Sequence, residues 1–174
     1  MEVFEAIQAR RSVRSFDPRP VPDDVLTKVL ETGRIAPSAS NYQPWRFIVV
    51  RDAAKRQVLS EGKYAKFLTE SPVVIVGCGD KKTSPKWYVV DTTIALQQMV
   101  IAATAEGLGT CWIGSFDEDS VREALGVPDR FAVVAMLAVG YPKQKPGPAV
   151  PHARTRTVKD LGKIVSYDEF DSET

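Results

Sequence analysis

Pro37-Ser38-Ala39-Ser40-Asn41-Tyr42-Gln43-Pro44-Trp45 leads, through Arg46, into Phe47-Ile48-Val49-Val50. Prolines at both ends keep the first stretch from continuing a helix, and two serines, an asparagine and a glutamine crowd it with small hydrogen-bonding groups. The apolar run after it reads as a buried strand. Before it, Val25, Leu26, Val29 and Leu30 share one face at helical spacing. Pro22 belongs in or near that helix's first turn, Asp23 and Asp24 suit its positive end, and Gly33 reads as its stop. A polar loop held between a helix and a strand is where sites usually form. Its side chains could equally serve only their own backbone, so the loop needs support from the rest of the chain.

Working toward the N-terminus, Val3, Phe4 and Ile7 predict a short helix over residues 2–10. It runs into Arg10-Arg11-Ser12-Val13-Arg14-Ser15-Phe16. If that strip is extended, Arg10, Ser12 and Arg14 project from one side and Arg11, Val13 and Ser15 from the other. Two guanidinium forks with a hydroxyl between them suit a phosphate. Working toward the C-terminus, Asp52 caps a short helix to Leu59, and a helical turn or two follows near Tyr64–Leu68. Val73–Cys78 reads as a central strand. A long helix from Val89 to about Glu106 reads as the buried spine, with Gly107-Leu108-Gly109 as its stop. Thr110–Ile113 is expected as a strand, Gly114-Ser115-Phe116 as a turn, Asp117–Leu125 as a helix and Phe131–Val139 as a second long strand. From Pro142 to Pro151 little is apolar, which predicts an extended surface arm. Arg154, Arg156 and Lys159 add a second basic cluster before a last apolar patch of Leu161, Ile164 and Val165.

The 174 residues, 44% of them hydrophobic, suit a single domain, residues 1–174. A net charge of +1 gives no global attraction to nucleic acid or an anionic membrane, so any anion site is local. Cys78 and Cys111 are far apart, without a Cys-x-x-Cys pattern or a neighbouring histidine, and read as packed thiols and not as metal ligands. No leader-like segment opens the chain and the longest mostly apolar run is broken by Gln97 and Gln98, which predicts a soluble, cytoplasmic protein. Gly107, Gly109 and Gly114 lack the spacing of the dinucleotide turn, no phosphate-binding Gly-Lys-Ser loop occurs, and the single histidine, His152, lies in the proline-rich arm. A phosphorylated ligand would therefore be held by arginines and loop backbone.

Four segments in this order, Arg10–Phe16, Pro37–Trp45, Gly107–Gly114 (Gly-Leu-Gly-Thr-Cys-Trp-Ile-Gly) and Gly140-Tyr141-Pro142, resemble the nitroreductase family of FMN-dependent oxidoreductases. The resemblance implies an α+β fold with a mainly antiparallel central sheet wrapped by helices. It implies a domain-swapped homodimer with an FMN at each of two interface sites, NADH or NADPH as reductant, and a C-terminal arm (about 142–174) reaching the partner subunit. By motif position, Arg10 and Ser12 would meet the FMN phosphate and ribityl chain with Arg11 near, and Arg14 the N1 and C2 carbonyl edge. Pro37, Ser38, Ala39 and Ser40 would cover the flavin of the neighbouring subunit, and Asn41 would bond its pyrimidine edge. Gly114 and Ser115, after Trp112 and Ile113, would turn backbone N–H groups toward N5 and the C4 carbonyl. Arg154 or Arg156 would add to the phosphate, with Arg156 favoured and Lys159 a third candidate.

The expected activity is hydride transfer from NAD(P)H, through flavin N5, to a small acceptor such as a nitroaromatic or quinone, in two half-reactions at one pocket. No side-chain acid, base or metal is required. Residues 80–88, with Lys82, Lys86 and Trp87, and the aromatics Tyr42 and Phe116 are candidates for shaping the second substrate's pocket. Two alternatives stand beside this reading: a reductive dehalogenase or other specialised flavin reductase of the same fold, and a non-catalytic nucleotide- or phosphate-binding protein.

Overall fold

The structure, a computed structural model, describes residues 1–143 and 158–170. The chain divides into two units, 1–143 and 144–174. In the first, four strands form one sheet: β1 (Trp45–Val50), β2 (Val73–Asp80), β3 (Gly109–Ile113) and β4 (Phe131–Gly140), in the order β1-β2-β4-β3 with every neighbour antiparallel. Five helices surround it: α1 (Val3–Ala9), α2 (Asp23–Arg34), α3 (Ala53–Leu59), α4 (Tyr88–Ala105) and α5 (Glu118–Leu125). The α+β, mainly antiparallel expectation holds. Among the described residues no helix is long and apolar enough to cross a membrane.

Strand alternation builds two cores from one sheet. Val74, Val76 and Cys78 of β2 join Met136 and Ala138 of β4 on one face, where Leu59 of α3, Leu68 and Val121 of α5 cover them. Val73 and Ile75 point the other way with Leu137 and Val139, onto Leu26 and Val29 of α2 and Leu96, Met99, Val100 and Ala103 of α4. Every residue of β2 is buried, as a central strand covered on both faces requires.

Several boundaries move. β1 begins at Trp45, two residues before the apolar run, because Trp45 packs in a small core with Ala36 and Ala95. β2 continues to Asp80 through a register shift at Gly77/Cys78. Gly33 lies inside α2 and does not end it; a β-carbon there would meet Met99 Cε at 2.0 Å, so its role is the close approach of α2 to α4. Gly107, at φ +77°, does end the long helix. α4 is buried on one face only: Val89, Val90 and Ile94 remain exposed on the other. The expected turns near Tyr64–Leu68 become a 3₁₀ turn at Lys66–Thr69, whose end is clasped by the Arg56 guanidinium donating to the Thr69 and Ser71 carbonyls.

In the second unit, Leu161–Lys163 form one 3₁₀ turn, and Leu161 and Ile164 are exposed. Most of the expected arm, including Arg154 and Arg156, lies outside the described residues.

Candidate active site

The strip after α1 is extended and lies along the outer edge of β3. Ser12 and Thr110 form a parallel bridge, the Val13 N–H donates to the Thr110 carbonyl at 2.9 Å, and Val13 packs over Gly109. Further on, Phe16 is buried and bridges Pro142, while Lys143 N–H donates to the Ser15 carbonyl. Val13 packs against the buried cluster that holds Cys111, and Arg10, Ser12 and Arg14 all act on the Cys111 thiol. Burial pushes that thiol up, and Arg14, Ser12 and Arg10 work against the shift by favouring negative charge at the same point.

Arg11 is engaged locally. Its guanidinium folds back to donate to the Gln8 carbonyl at 2.5 Å and the Arg10 carbonyl at 2.8 Å, filling the acceptors left open at the end of α1. It serves the helix end.

Arg14 lines a cleft of about 290 Å³ together with Tyr64, Phe67, Cys111, Trp112, Ile113, Gly114 and Ser115. Gly114 and Ser115 follow β3 directly, and their amide N–H groups donate to no other described residue. Gly62 sits against this turn: a β-carbon on it would lie 2.4 Å from the Ser115 carbonyl oxygen. Tyr64, Phe67 and Cys111 are the cleft residues that sequence reading left out of the site. For Cys111 the signal was available, since it alternates with Trp112 on a strand that ends at Ile113. The two aromatics carried no motif.

The 37–45 loop is elsewhere. It enters β1, at the opposite edge of the sheet from β3, on the side where α2 and α4 lie. Ser40 (φ 48°), Asn41 (φ 56°) and Gln43 (φ 48°) all occupy the left-handed region, unusual for residues other than glycine. Internal bonds hold that shape: Gln43 N–H donates to Ser38 Oγ at 2.9 Å, and Gln43 Nε2 to Asn41 Oδ1 at 3.0 Å. At the base, Ala39 N–H donates to Asp91 Oδ1 at 3.1 Å. Asn41 and Tyr42 are exposed.

The 80–88 segment is not part of the cleft. The Asp80 carboxylate anchors it, accepting from Arg130, the Thr83 hydroxyl and the amides of Lys82 and Thr83, and the Arg130 contact holds its carboxyl well below the usual range. Trp87 is exposed beside Lys86, 5.0 Å from its ring, so it belongs to neither the core nor the cleft. Phe116 packs partly buried against the core, and Lys82 is exposed.

The outer edge of the sheet thus carries a basic strip, an adjoining cleft and a turn whose amides have no described acceptor. Comparison with known proteins gives the family. The sequence model described as the nitroreductase family matches residues 7–62 and 53–141, and the chain belongs to that family. An Archaeoglobus fulgidus protein, provisionally named NADH dehydrogenase/NAD(P)H nitroreductase, is 35% identical over 152 residues, covering 83% of this chain and 87% of its own. A nitroreductase family protein from Clostridium difficile 630 superposes with a TM-score of 0.85 at 32% identity, over 98% of this chain and 100% of its own. A second structure, an FMN-dependent nitroreductase from Clostridium difficile R20291, gives 0.82 at 29% identity, over 96% and 99%.

Proposed function

We propose that this chain is the subunit of a homodimeric FMN-dependent oxidoreductase that takes hydride from NADH or NADPH and delivers it to a small organic acceptor such as a nitroaromatic or quinone. The observation that carries the reading is the convergence of Arg10, Ser12 and Arg14 on the β3 edge beside the free amides of Gly114 and Ser115. That donor set fits FMN: guanidinium and hydroxyl groups for a phosphate, a cation for an electron-rich ring edge, and amides for ring acceptors. Bound FMN would supply the hydride chemistry at N5. The chain's own part is to bind, orient and charge-match. Arg10 and Ser12 hold the phosphate end. Arg14, lining the cleft, stabilises negative charge at the N1 and C2 carbonyl edge, where a nearby cation is worth most once water is excluded. Gly114 and Ser115 fix the opposite edge through backbone alone, which leaves the reacting face uncrowded. No side chain is asked to move a proton in the hydride step.

The homodimer is supported by the separation of the two half-sites. Loop 37–45 and the Arg10–Ser115 cleft lie at opposite edges of the sheet, three interstrand steps of roughly 4.8 Å apart. The loop of one subunit thus reaches the cleft of another more readily than its own. The exposed Val89, Val90 and Ile94 of α4, and the exposed Val3, Phe4 and Ile7 of α1, supply apolar surface for such a contact. In the described residues of the second unit, Lys159 is exposed and available as a further cation.

An absorbance spectrum of the purified full chain, followed by anaerobic addition of NADH or NADPH, tests the reading. Oxidised-flavin bands that bleach on addition are expected. A protein that stays colourless after incubation with excess FMN would overturn it and favour non-catalytic anion binding.

A further inference from the structure

Within α4, Asp91 is 3% exposed, yet its carboxylate has no cationic partner among the described residues. Oδ1 accepts the Ala39 N–H at 3.1 Å and Oδ2 accepts the Ser84 hydroxyl at 3.4 Å. Burying a carboxylate against neutral donors costs free energy that those bonds return only in part. The first turn of α4, where Asp91 stands, eases the cost through the helix field. A solvent-facing acid at that turn would have gained the same field without the burial.

What the burial achieves is visible at the other end of the bond. The 38–43 segment keeps its left-handed residues in place by bonds among its own members. Among the described residues, its one hydrogen bond to the rest of the protein is Ala39 to Asp91. Asp91 is itself braced, because Ser84 belongs to the turn that Asp80 and Arg130 fix: Ser84 N–H donates to the Asp80 carbonyl at 3.2 Å, and Tyr88 N–H to the Ser84 carbonyl at 2.9 Å. The Pro44 carbonyl, at the far end of the loop, accepts from Asp80 N–H at 2.8 Å. Both ends of the loop are thus referenced to one rigid stretch, residues 80–91.

We infer that Asp91 is a positioning residue whose carboxylate sets the height and tilt of the 38–43 loop, and that through this loop it controls how tightly FMN is held. The second half rests on the proposal that the loop covers the cofactor of a partner subunit. Ala39→Pro is the sharpest probe. It removes the donor N–H at the first position of a 3₁₀ turn, where proline fits, and Ser38 already has the extended backbone (φ −146°, ψ 158°) that precedes proline. The Asp91–Ser84 bond survives it.

The experiment uses the full-length protein and reads two quantities: FMN dissociation constant, by titration of flavin fluorescence, and hydrogen exchange of the 40–43 amides without FMN. Ala39→Pro and Asp91→Ala are each expected to speed loop exchange and to raise the dissociation constant about tenfold or more. The double variant should be little worse than either single, and Asp91→Asn, which keeps an acceptor oxygen, should come back to within about threefold of the wild type. Unchanged exchange and affinity in Ala39→Pro would overturn the inference. So would additive losses, which would mean that Asp91 acts through general stability. If the unmodified protein takes up no FMN, the proposed function fails instead, while the exchange comparison still decides whether Asp91 pins the loop.

Discussion

At the β3 edge the polar groups have few described protein partners, whereas the loop leading into β1 bonds several of its own groups to one another. Among the described residues Arg10, Ser12 and Arg14 have no acidic partner, and the Gly114 and Ser115 amides have no acceptor. In the 38–43 loop, Ser38, Asn41 and Gln43 bond to one another and Ala39 bonds to Asp91. The first region leaves donors without described acceptors, and the second maintains a left-handed backbone that its own hydrogen bonds hold. A site divided this way can place its binding energy on one surface and its steric fit on another.

The harshest way to break that comparison is Arg10→Ala with Ser12→Ala. Removing a charged donor and a hydroxyl from the phosphate end should weaken FMN binding about a hundredfold or more, so that cofactor is lost on gel filtration. Full retention would refute the phosphate assignment. Arg14→Ala should be milder, with FMN still bound about tenfold more weakly and a lower flavin reduction potential, because the reduced ring loses a stabilising cation. An unchanged potential in spectroelectrochemical titration would remove Arg14 from that role. Gly62→Ala asks whether the turn beside Gly114 has slack. With the new β-carbon 2.4 Å from the Ser115 carbonyl, the turn must shift, and we expect a loss of about 1 kcal/mol in denaturant unfolding together with weaker FMN binding. Equal affinity would show that the amides' aim is not critical. The smallest effect should come from Ser40→Gly, which relieves the left-handed backbone at φ 48° and should raise stability by up to about 1 kcal/mol after the glycine entropy cost. A loss of stability would mean that the loop is not strained there.

Much of the β3 half was legible because it follows from short-range rules. Arg10, Ser12 and Arg14 stood out as a basic strip and all act on the Cys111 thiol, and the Trp112-Ile113-Gly114 sequence marked a strand and its end. Arg11 donates to the Gln8 and Arg10 carbonyls at the end of α1, which the strip's own pattern does not record. The loop's position between α2 and β1 was legible, but its conformation was not: no glycine advertises the left-handed backbone at Ser40, Asn41 and Gln43. Asp91 could not be found from sequence, since its loop partner is 52 residues away and an acid in a helix's first turn has an ordinary explanation. Gly62 was silent for a similar reason. Its neighbour is the backbone of a distant turn, which no local pattern records.

The bridge between Ser12 and Thr110 also gives β3 a cover. Without the strip, the outer hydrogen-bonding groups of that short, largely buried strand would be open for another chain to zip onto. The strip that carries the two guanidinium groups closes this seam through Ser12 and Val13, which stand between Arg10 and Arg14. Peeling the strip from β3 would therefore cost more than an anion site: it would expose an adhesive border.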